Sequence, residues 1–181
     1  MTAVQDIPIS TITGTDTTLG AFAGQVVLVV NVASQCGLTP QYEALERLFE
    51  QQRDKGFTVV GFPANNFAGQ EPGTNDEIAE FCRSAYSVAF PMFAKISVVG
   101  DDQHPLYREL TSAAPRAAGE PDEFREKLRG YGLAPNNDPD VLWNFEKFLI
   151  GRDGNVIGRF APTLSPDDPL ITDAIDAALA G

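Results

Sequence analysis

The sequence predicts an α/β fold in which helices cover both faces of a mixed central sheet, with an additional β-hairpin at the N-terminus. Two apolar, β-branched runs, at residues 26–32 and 57–62, flank a helical pattern and therefore predict buried parallel strands. Two later strand-like runs, at residues 142–150 and 156–160, are joined by an Asp-Gly turn and predict an antiparallel hairpin. Parallel and antiparallel strands together make the sheet mixed.

The first elements are a short hairpin, a strand and a helix. Residues 7–13 and the segment around residues 17–19 flank Gly-Thr-Asp at residues 14–16, which is typical of a hairpin turn. After Pro40, apolar side chains recur at helical spacing, and Lys-Gly at residues 55–56 predicts the end of this helix. The buried side chains expected on it are Leu45, Leu48 and Phe49.

The middle of the chain predicts a second long helix and a further strand. Thr74 and Glu77 have the spacing of a capping box, so a helix is expected to begin there and to bury Ile78, Phe81 and Cys82. A strand at residues 96–99 should follow.

The remaining elements are shorter. Residues 104–111 predict a short helix, and residues 113–139, rich in proline and polar residues, predict an irregular insertion with a short helix near residues 123–128. A final helix is expected to bury Ile171, Ile175 and Leu179. This order of elements predicts a thioredoxin-like arrangement in one domain spanning residues 1–181, with functional groups gathered at the carboxyl ends of the strands.

Composition excludes several classes of function. A net charge of −12 repels phosphate backbones and anionic lipids, so neither nucleic acid nor stable membrane association is expected. The first residues lack the features of a signal peptide, and the apolar run at residue 26 is too short for a membrane span, which predicts a cytoplasmic protein. In such a reducing compartment the two cysteines are expected to be reactive or merely buried. With one histidine and no cysteine pair at metal spacing, no metal is expected.

Cys36 follows the first buried strand and precedes a helix. Thr39 and Pro40 have the character of an N-cap and a first helical residue. The unpaired N–H groups and positive dipole end of a helix N-terminus stabilise a thiolate, which is the nucleophilic form of cysteine. Position alone favours a reactive cysteine no more than an inert, buried one.

Two more segments accompany this cysteine: Phe-Pro-Ala-Asn-Asn-Phe-Ala-Gly-Gln-Glu-Pro-Gly at residues 62–73 and Trp-Asn-Phe at residues 143–145. With these three motifs the chain resembles the glutathione peroxidase family from about Ile7 to the C-terminus. The resemblance implies that Cys36, in place of the selenocysteine of many animal members, attacks a hydroperoxide, and that Gln70, Trp143 and Asn144 surround it. The indole and amide N–H groups of these side chains can donate hydrogen bonds to a thiolate or a departing alkoxide.

The resemblance also implies a thiol co-substrate, either thioredoxin or glutathione, and no bound cofactor. Thioredoxin-dependent members commonly have a resolving cysteine in the segment that corresponds to residues 80–86. Cys82 lies there, one position before the usual site, where this chain has Arg83. Cys82 is thus either a resolving cysteine or a buried apolar residue. A redox relay that passes oxidation from Cys36 to a partner protein is the alternative function.

Other features separate this chain from related classes. Cys-Gly-Leu-Thr at residues 36–39 lacks the second cysteine of a thioredoxin-type disulfide oxidoreductase, and His104, the only histidine, is expected to be an ordinary surface residue. Asn66 and Ala64 replace the glutamine and cysteine that many members have. The oligomeric state stays open, and the acidic surface favours small soluble peroxides as substrates.

Overall fold

The computed structural model describes residues 2–181. A short helix, α1 (Ala3–Asp6), precedes the predicted N-terminal hairpin, which is formed by only two residues in each strand, β1 (Ile9–Ser10) and β2 (Asp16–Thr17). The main sheet has four strands in the order β4-β3-β5-β6. They are β3 (Val26–Val32), β4 (Phe57–Pro63), β5 (Lys147–Ile150) and β6 (Val156–Phe160).

The sheet is mixed, as predicted. β3 pairs with β4 in parallel and with β5 in antiparallel orientation, and β5 pairs antiparallel with β6. All seven residues of β3 and of β4 are buried, because apolar layers cover both faces of these strands. The remaining α-helices of residues 2–181 are α2 (Gln41–Gln52), α3 (Asn75–Tyr86), α4 (Pro105–Ala113), α5 (Pro121–Gly130) and α6 (Pro169–Ala180).

Alternate residues of β3 point to two different cores. Val26, Leu28 and Val30 pack in a cluster with α2, α3 and α6. Val27 and Val29 point to the opposite face, where the second cluster contains residues of α1 and α4. The prediction of helices on both faces is therefore confirmed. None of the helices of residues 2–181 has the length and apolar character needed to cross a bilayer.

The prediction of a strand at residues 96–99 is wrong, because this segment has no regular secondary structure. A few residues before it, Met92 forms an isolated β-bridge with Gly61, and Phe93 forms one with Thr11. Further along, the Val98 N–H donates to the Asn66 side chain at 2.9 Å instead of to a neighbouring strand. The Ile96 N–H still donates to the Pro63 carbonyl of β4 at 3.0 Å, but at Val98 a side chain takes the place of a strand partner.

Other boundaries also differ from the sequence pattern. The capping box is present, with Thr74 and Glu77 bonding reciprocally at 3.1 and 3.2 Å. The helix inside the insertion, α5, extends over ten residues. The segment before β5, expected to be strand from residue 142, is a turn that carries the Trp-Asn-Phe motif. Ile171 and Ile175 of α6 are buried, whereas Leu179 is only partly buried.

Candidate active site

Cys36 lies in the turn that links the carboxyl end of β3 to α2, and its side chain is 8% exposed. The Leu38 N–H donates a hydrogen bond to Cys36 Sγ at 3.3 Å. Thr39 Oγ1 accepts from the Cys36 N–H at 3.0 Å and donates to the Ala33 carbonyl at 2.8 Å. The sulfur is therefore held in a fixed loop with one backbone donor directed at it.

This geometry corrects the predicted helix start. α2 begins at Gln41, so Pro40 is its N-cap residue and Thr39 lies before it. Backbone bonds from Thr39 to Cys36 and from Gln41 to Leu38 form tight turns ahead of the helix. Because these turns bring the Thr39 hydroxyl under Cys36, that hydroxyl ties the cysteine loop instead of capping α2.

Gln70 reaches the site from the long loop between β4 and α3. Its carbonyl accepts from the Gln35 N–H at 3.0 Å, which joins the two loops next to the cysteine. Its side-chain Oε1 accepts from Asn144 Nδ2 at 2.8 Å. Since the oxygen is engaged, the Gln70 amide nitrogen is the end that is free to donate.

Trp143 and Asn144 lie in the turn that precedes β5. Asn31, a fully buried residue of β3, holds this turn through two bonds: its side chain donates to the Trp143 carbonyl at 3.0 Å, and its carbonyl accepts from the Phe145 N–H at 2.6 Å. Phe145 has a φ of 68°, in the left-handed region that costs a non-glycine residue about 1–3 kcal/mol. Its buried ring packs edge-on against Tyr42 at 5.4 Å, which fixes the turn in that conformation.

Cys36, Gln70 and Trp143 line one cavity of about 360 Å³. Asn144 is fully buried and lies behind Gln70, outside the lining of the cavity. The Trp143 ring is only partly buried and packs against Phe67 with ring centroids 5.4 Å apart. The fold thus brings three of the four predicted site residues to one cavity and places the fourth where it orients the glutamine.

Cys82 is in a different environment. It lies on α3 in the apolar core and is 2% exposed, and it does not line the cavity at Cys36. Burial raises the pKa of the Cys82 thiol to about 11, an effect that the Tyr42 hydroxyl opposes and the Glu71 carboxylate reinforces. No disulfide joins the two cysteines. In this conformation Cys82 is a buried, protonated thiol.

Glu71 is a buried acid that the sequence did not single out. Its side chain is 1% exposed, and burial raises the pKa of its carboxyl, with hydrogen bonds from Ser34 and the charge of Lys95 acting in the opposite direction. Lys95 Nζ donates to the Glu71 carbonyl at 2.9 Å and to the Gly73 carbonyl at 2.5 Å. Lys95 therefore anchors the loop after Gln70 through two of its carbonyls.

Asn66, one of the departures from the family pattern, and His104 have structural roles away from the sulfur. Asn66 Nδ2 donates to Ser97 Oγ at 2.9 Å, so this side chain supports the irregular segment beyond β4. His104 Nδ1 accepts from the Leu106 N–H at 3.1 Å and caps α4, and burial lowers the pKa of its imidazole. Neither residue lines the cavity at Cys36.

Asn31 is the residue of this site that sequence reasoning missed. It is polar and fully buried within a strand that is otherwise apolar. Because a buried amide needs hydrogen-bond partners, a lone asparagine in such a run is itself a signal of a tertiary contact. Its partner could not be inferred, since Trp143 lies 112 residues further along the chain.

Comparison with known proteins identifies the family. The model of the glutathione peroxidase family matches residues 4–111 of the chain. The thioredoxin/glutathione peroxidase BtuE of Escherichia coli (strain K12) is 52% identical over 180 residues, which cover 99% of this chain and 96% of BtuE. A hydroperoxy fatty acid reductase of Synechocystis sp. is 44% identical over 155 residues, 86% of this chain and 84% of that protein.

A solved structure agrees with these sequence matches. The crystal structure of Trgpx in its apo form superposes with a TM-score of 0.72 at 36% identity, covering 99% of this chain and 97% of that one. The predicted thioredoxin-like fold is confirmed by this likeness and by the mixed four-stranded sheet. The chain therefore belongs to the glutathione peroxidase family.

Proposed function

We propose that the chain is a thiol peroxidase that reduces hydrogen peroxide and organic hydroperoxides through Cys36 and serves in antioxidant defence. The observation that supports this most directly is that Cys36 lines one cavity together with Gln70 and Trp143, whose side chains can donate hydrogen bonds. Relatives named as peroxidases and as a hydroperoxy fatty acid reductase support the same chemistry.

In the first step the Cys36 thiolate attacks the terminal oxygen of ROOH. The sulfur gains that oxygen as the O–O bond breaks, and the bond's electron pair leaves with RO⁻, which takes a proton to become water or an alcohol. The sulfur is thereby oxidised to sulfenic acid. The Gln70 amide and the Trp143 indole are the proposed donors to the developing alkoxide, and the Asn144 bond to Gln70 Oε1 leaves the donating end of that amide free.

In the second step a thiol reduces the sulfenic acid. The thiolate of the reductant attacks the Cys36 sulfur, the hydroxyl of the sulfenic acid takes up a proton and leaves as water, and a disulfide forms. A second thiol then cleaves this disulfide. Thioredoxin and glutathione are the proposed reductants, and thioredoxin could act through an intermediate Cys36–Cys82 disulfide. The cycle uses no bound cofactor and fits a reducing compartment such as the cytoplasm.

Resolution by Cys82 carries a structural cost. A disulfide requires Cα atoms within about 7 Å and side chains directed at one another. Cys82 is enclosed on α3 among core residues, so local unwinding of that helix must accompany the reaction. Its raised pKa adds a second barrier, because only a small fraction of the thiol is ionised at neutral pH. Direct attack by an external thiol through the open cavity avoids both.

Steady-state turnover tests the proposal. Peroxide consumption is measured separately with a thioredoxin regeneration system and with glutathione, for the wild type, Cys36→Ser and Cys82→Ser. The proposal requires that Cys36→Ser lose turnover with both reductants while keeping its circular dichroism spectrum. Loss of only the thioredoxin-dependent rate in Cys82→Ser assigns that residue as resolving. Wild-type turnover in Cys36→Ser would overturn the proposed function.

A further inference from the structure

Glu71 is a buried acid that the proposed peroxide step does not use. Its side chain is 1% exposed, and its Oε2 has no hydrogen-bond partner within residues 2–181. Burying a carboxylate oxygen without a partner is costly, because nothing replaces the water that solvated it. Acids held in such surroundings are found more often at reactive sites than elsewhere in a protein.

The carboxylate lines a small cavity between the cysteine loop and α3. This cavity has a volume of about 170 Å³ and is separate from the larger one at Cys36. The two residues before Cys36 line it, as does Phe81 of α3. Cys82 follows Phe81 directly in the chain. Glu71 therefore lies where the two segments that carry the cysteines meet.

The groups around the Glu71 carboxylate come from both of these segments. On the side of the cysteine loop, Ser34 hydrogen-bonds to the carboxylate through its N–H and its hydroxyl. On the side of α3, the Glu71 charge is close enough to the Cys82 thiol to raise its pKa, and the Tyr42 hydroxyl of α2 contacts the same thiol. The charge of Lys95 acts on the carboxylate from the segment after α3. The acid thus interacts with the surroundings of both cysteines.

From this arrangement we infer that Glu71 transfers the proton of the Cys82 thiol to the leaving hydroxyl of the Cys36 sulfenic acid when a disulfide forms between the two cysteines. The inference rests on the proposed function and adds an acid–base group to its Cys82 branch. Glu71 first accepts the thiol proton, and the thiolate attacks the Cys36 sulfur. The S–O bond breaks and its electron pair leaves with the hydroxyl, which takes the proton from Glu71 and departs as water. The products are one disulfide and one water, and the carboxylate is regenerated.

The two pKa values explain why a base is needed and why Glu71 can act as one. Burial raises the pKa of the Cys82 thiol to about 11, so few molecules have the attacking thiolate at neutral pH. Burial also raises the pKa of the Glu71 carboxyl, which makes its carboxylate a stronger base than an exposed one. The unwinding of α3 that brings Cys82 to Cys36 has room to begin, because Phe81 borders the cavity.

The test follows one turnover without an external thiol. Reduced protein is mixed with one equivalent of hydrogen peroxide at pH 7, and samples are quenched with acid at successive times. The peroxide that remains gives the rate constant of the first step. Alkylation and mass spectrometry of the same samples give the rate constant of disulfide formation, since a disulfide lacks two hydrogens and takes up no alkylating reagent.

Glu71→Gln should leave the peroxide step at the wild-type rate and slow disulfide formation about 100-fold, the lower end of the range for a general acid–base group. Glu77→Gln is the matched control. Glu77 lines the same cavity but is exposed, and a glutamine preserves its capping box with Thr74. This control should form the disulfide at the wild-type rate. Circular dichroism checks that both variants are folded.

The pH profile of disulfide formation distinguishes proton transfer from a structural role. In the wild type the rate should fall at acid pH as Glu71 takes up a proton, above the pH expected for an ordinary carboxyl because its pKa is raised. In Glu71→Gln the rate should rise about tenfold per pH unit between pH 6 and 9, because it follows the thiolate fraction. Glu71→Asp keeps an ionisable group and should keep the fall at acid pH. Lys95, Tyr42 and Glu77 are unchanged in these variants and contribute equally.

The outcomes separate the inference from the proposed function. Disulfide formation at the wild-type rate in Glu71→Gln would overturn the inference, as would a slower rate with the wild-type pH profile or an equal slowing of the peroxide step. A wild-type protein that forms sulfenic acid at Cys36 but no disulfide with Cys82 would also overturn it, and would leave external thiols to complete the proposed cycle. A wild-type protein that does not consume peroxide would instead contradict the proposed function.

Discussion

Lys147 provides a test of the buried electrostatics behind the site. Its ammonium is fully buried and donates to the carbonyls of Pro162 and Leu164 at 3.0 and 2.7 Å. These carbonyls flank Thr163, which lines the Cys36 cavity. Burial lowers the pKa of Lys147 from 10.5 to about 7, with the charge of Glu146 acting in the opposite direction. The ammonium that holds the backbone on both sides of Thr163 thus has a strongly lowered pKa.

The lowered pKa makes the unfolding free energy depend on pH. Between pH 7 and 10.5 the unfolded chain binds a proton that the folded chain does not, so stability rises with pH in this window. Below about pH 7 lysine is charged in both states, and the cost of burying the charge is present in full. Integrated from pH 7 to pH 9, the gain from this one group is about 2 kcal/mol.

Lys147→Met should remove this contribution. Urea unfolding of the reduced protein, followed by Trp143 fluorescence at pH 7, 8 and 9, gives the free energy for each variant. The wild type should gain about 2 kcal/mol more than Lys147→Met between pH 7 and 9, because other groups, such as the Cys82 thiol, contribute equally to both. Parallel pH profiles for the two proteins would mean that Lys147 contributes nothing to the pH dependence of stability.

Three further experiments, two on variants and one on the wild type, have definite expected outcomes. Asn144→Ala leaves the Gln70 amide free to turn its oxygen toward the sulfur. The substitution should therefore lower kcat/KM for hydrogen peroxide about tenfold in steady-state assays, and circular dichroism serves as the folding control. In the folded protein at pH 7, iodoacetamide should not modify Cys82, since burial raises its pKa; mass spectrometry before and after urea unfolding checks this, and rapid native labelling would contradict the enclosed position. Arg159→Met removes the partner of buried Glu146, with both side chains 1% exposed, and should lower the unfolding free energy by about 3–5 kcal/mol in urea titrations, whereas a loss under 1 kcal/mol would indicate a replaceable pair.

Local patterns predicted most of the regular elements. The apolar run of β3 is buried along its whole length, and the spacing of Thr74 and Glu77 fixed the start of α3. These features depend on near neighbours in the sequence. The strand expected at residues 96–99 is absent for the opposite reason: only the Ile96 N–H donates to the β4 backbone, at the Pro63 carbonyl, while the Val98 N–H donates to the side chain of Asn66, some thirty residues earlier.

The sequence predicted the residues of the candidate active site but not their orientation. Family resemblance pointed to Cys36, Gln70, Trp143 and Asn144, and the structure brings the first three to one cavity. Their orientation depends on tertiary contacts that no local pattern encodes, such as the bond from Asn31 to the Trp143 carbonyl.

The insertion at residues 113–139 also shows that sequence patterns do not predict which segments pack together. Its sequence predicted an irregular segment with a short helix near residues 123–128, and the structure has this helix as the longer α5, from Pro121 to Gly130, which buries Phe124 and Leu128. The wall that this helix forms beside Cys36 results from packing between segments far apart in the chain. The sequence did not predict that Lys127 lines the same cavity as Cys36.

Chemical trapping of a sulfenic acid can show whether Cys36 is the group that peroxide oxidises. Cys82→Ser prevents any intramolecular disulfide, so a sulfenic acid formed at Cys36 persists long enough to react with dimedone. After one equivalent of hydrogen peroxide, peptide mass spectrometry should place the dimedone adduct on Cys36. An unmodified Cys36 peptide from folded protein that has been exposed to peroxide would contradict the account.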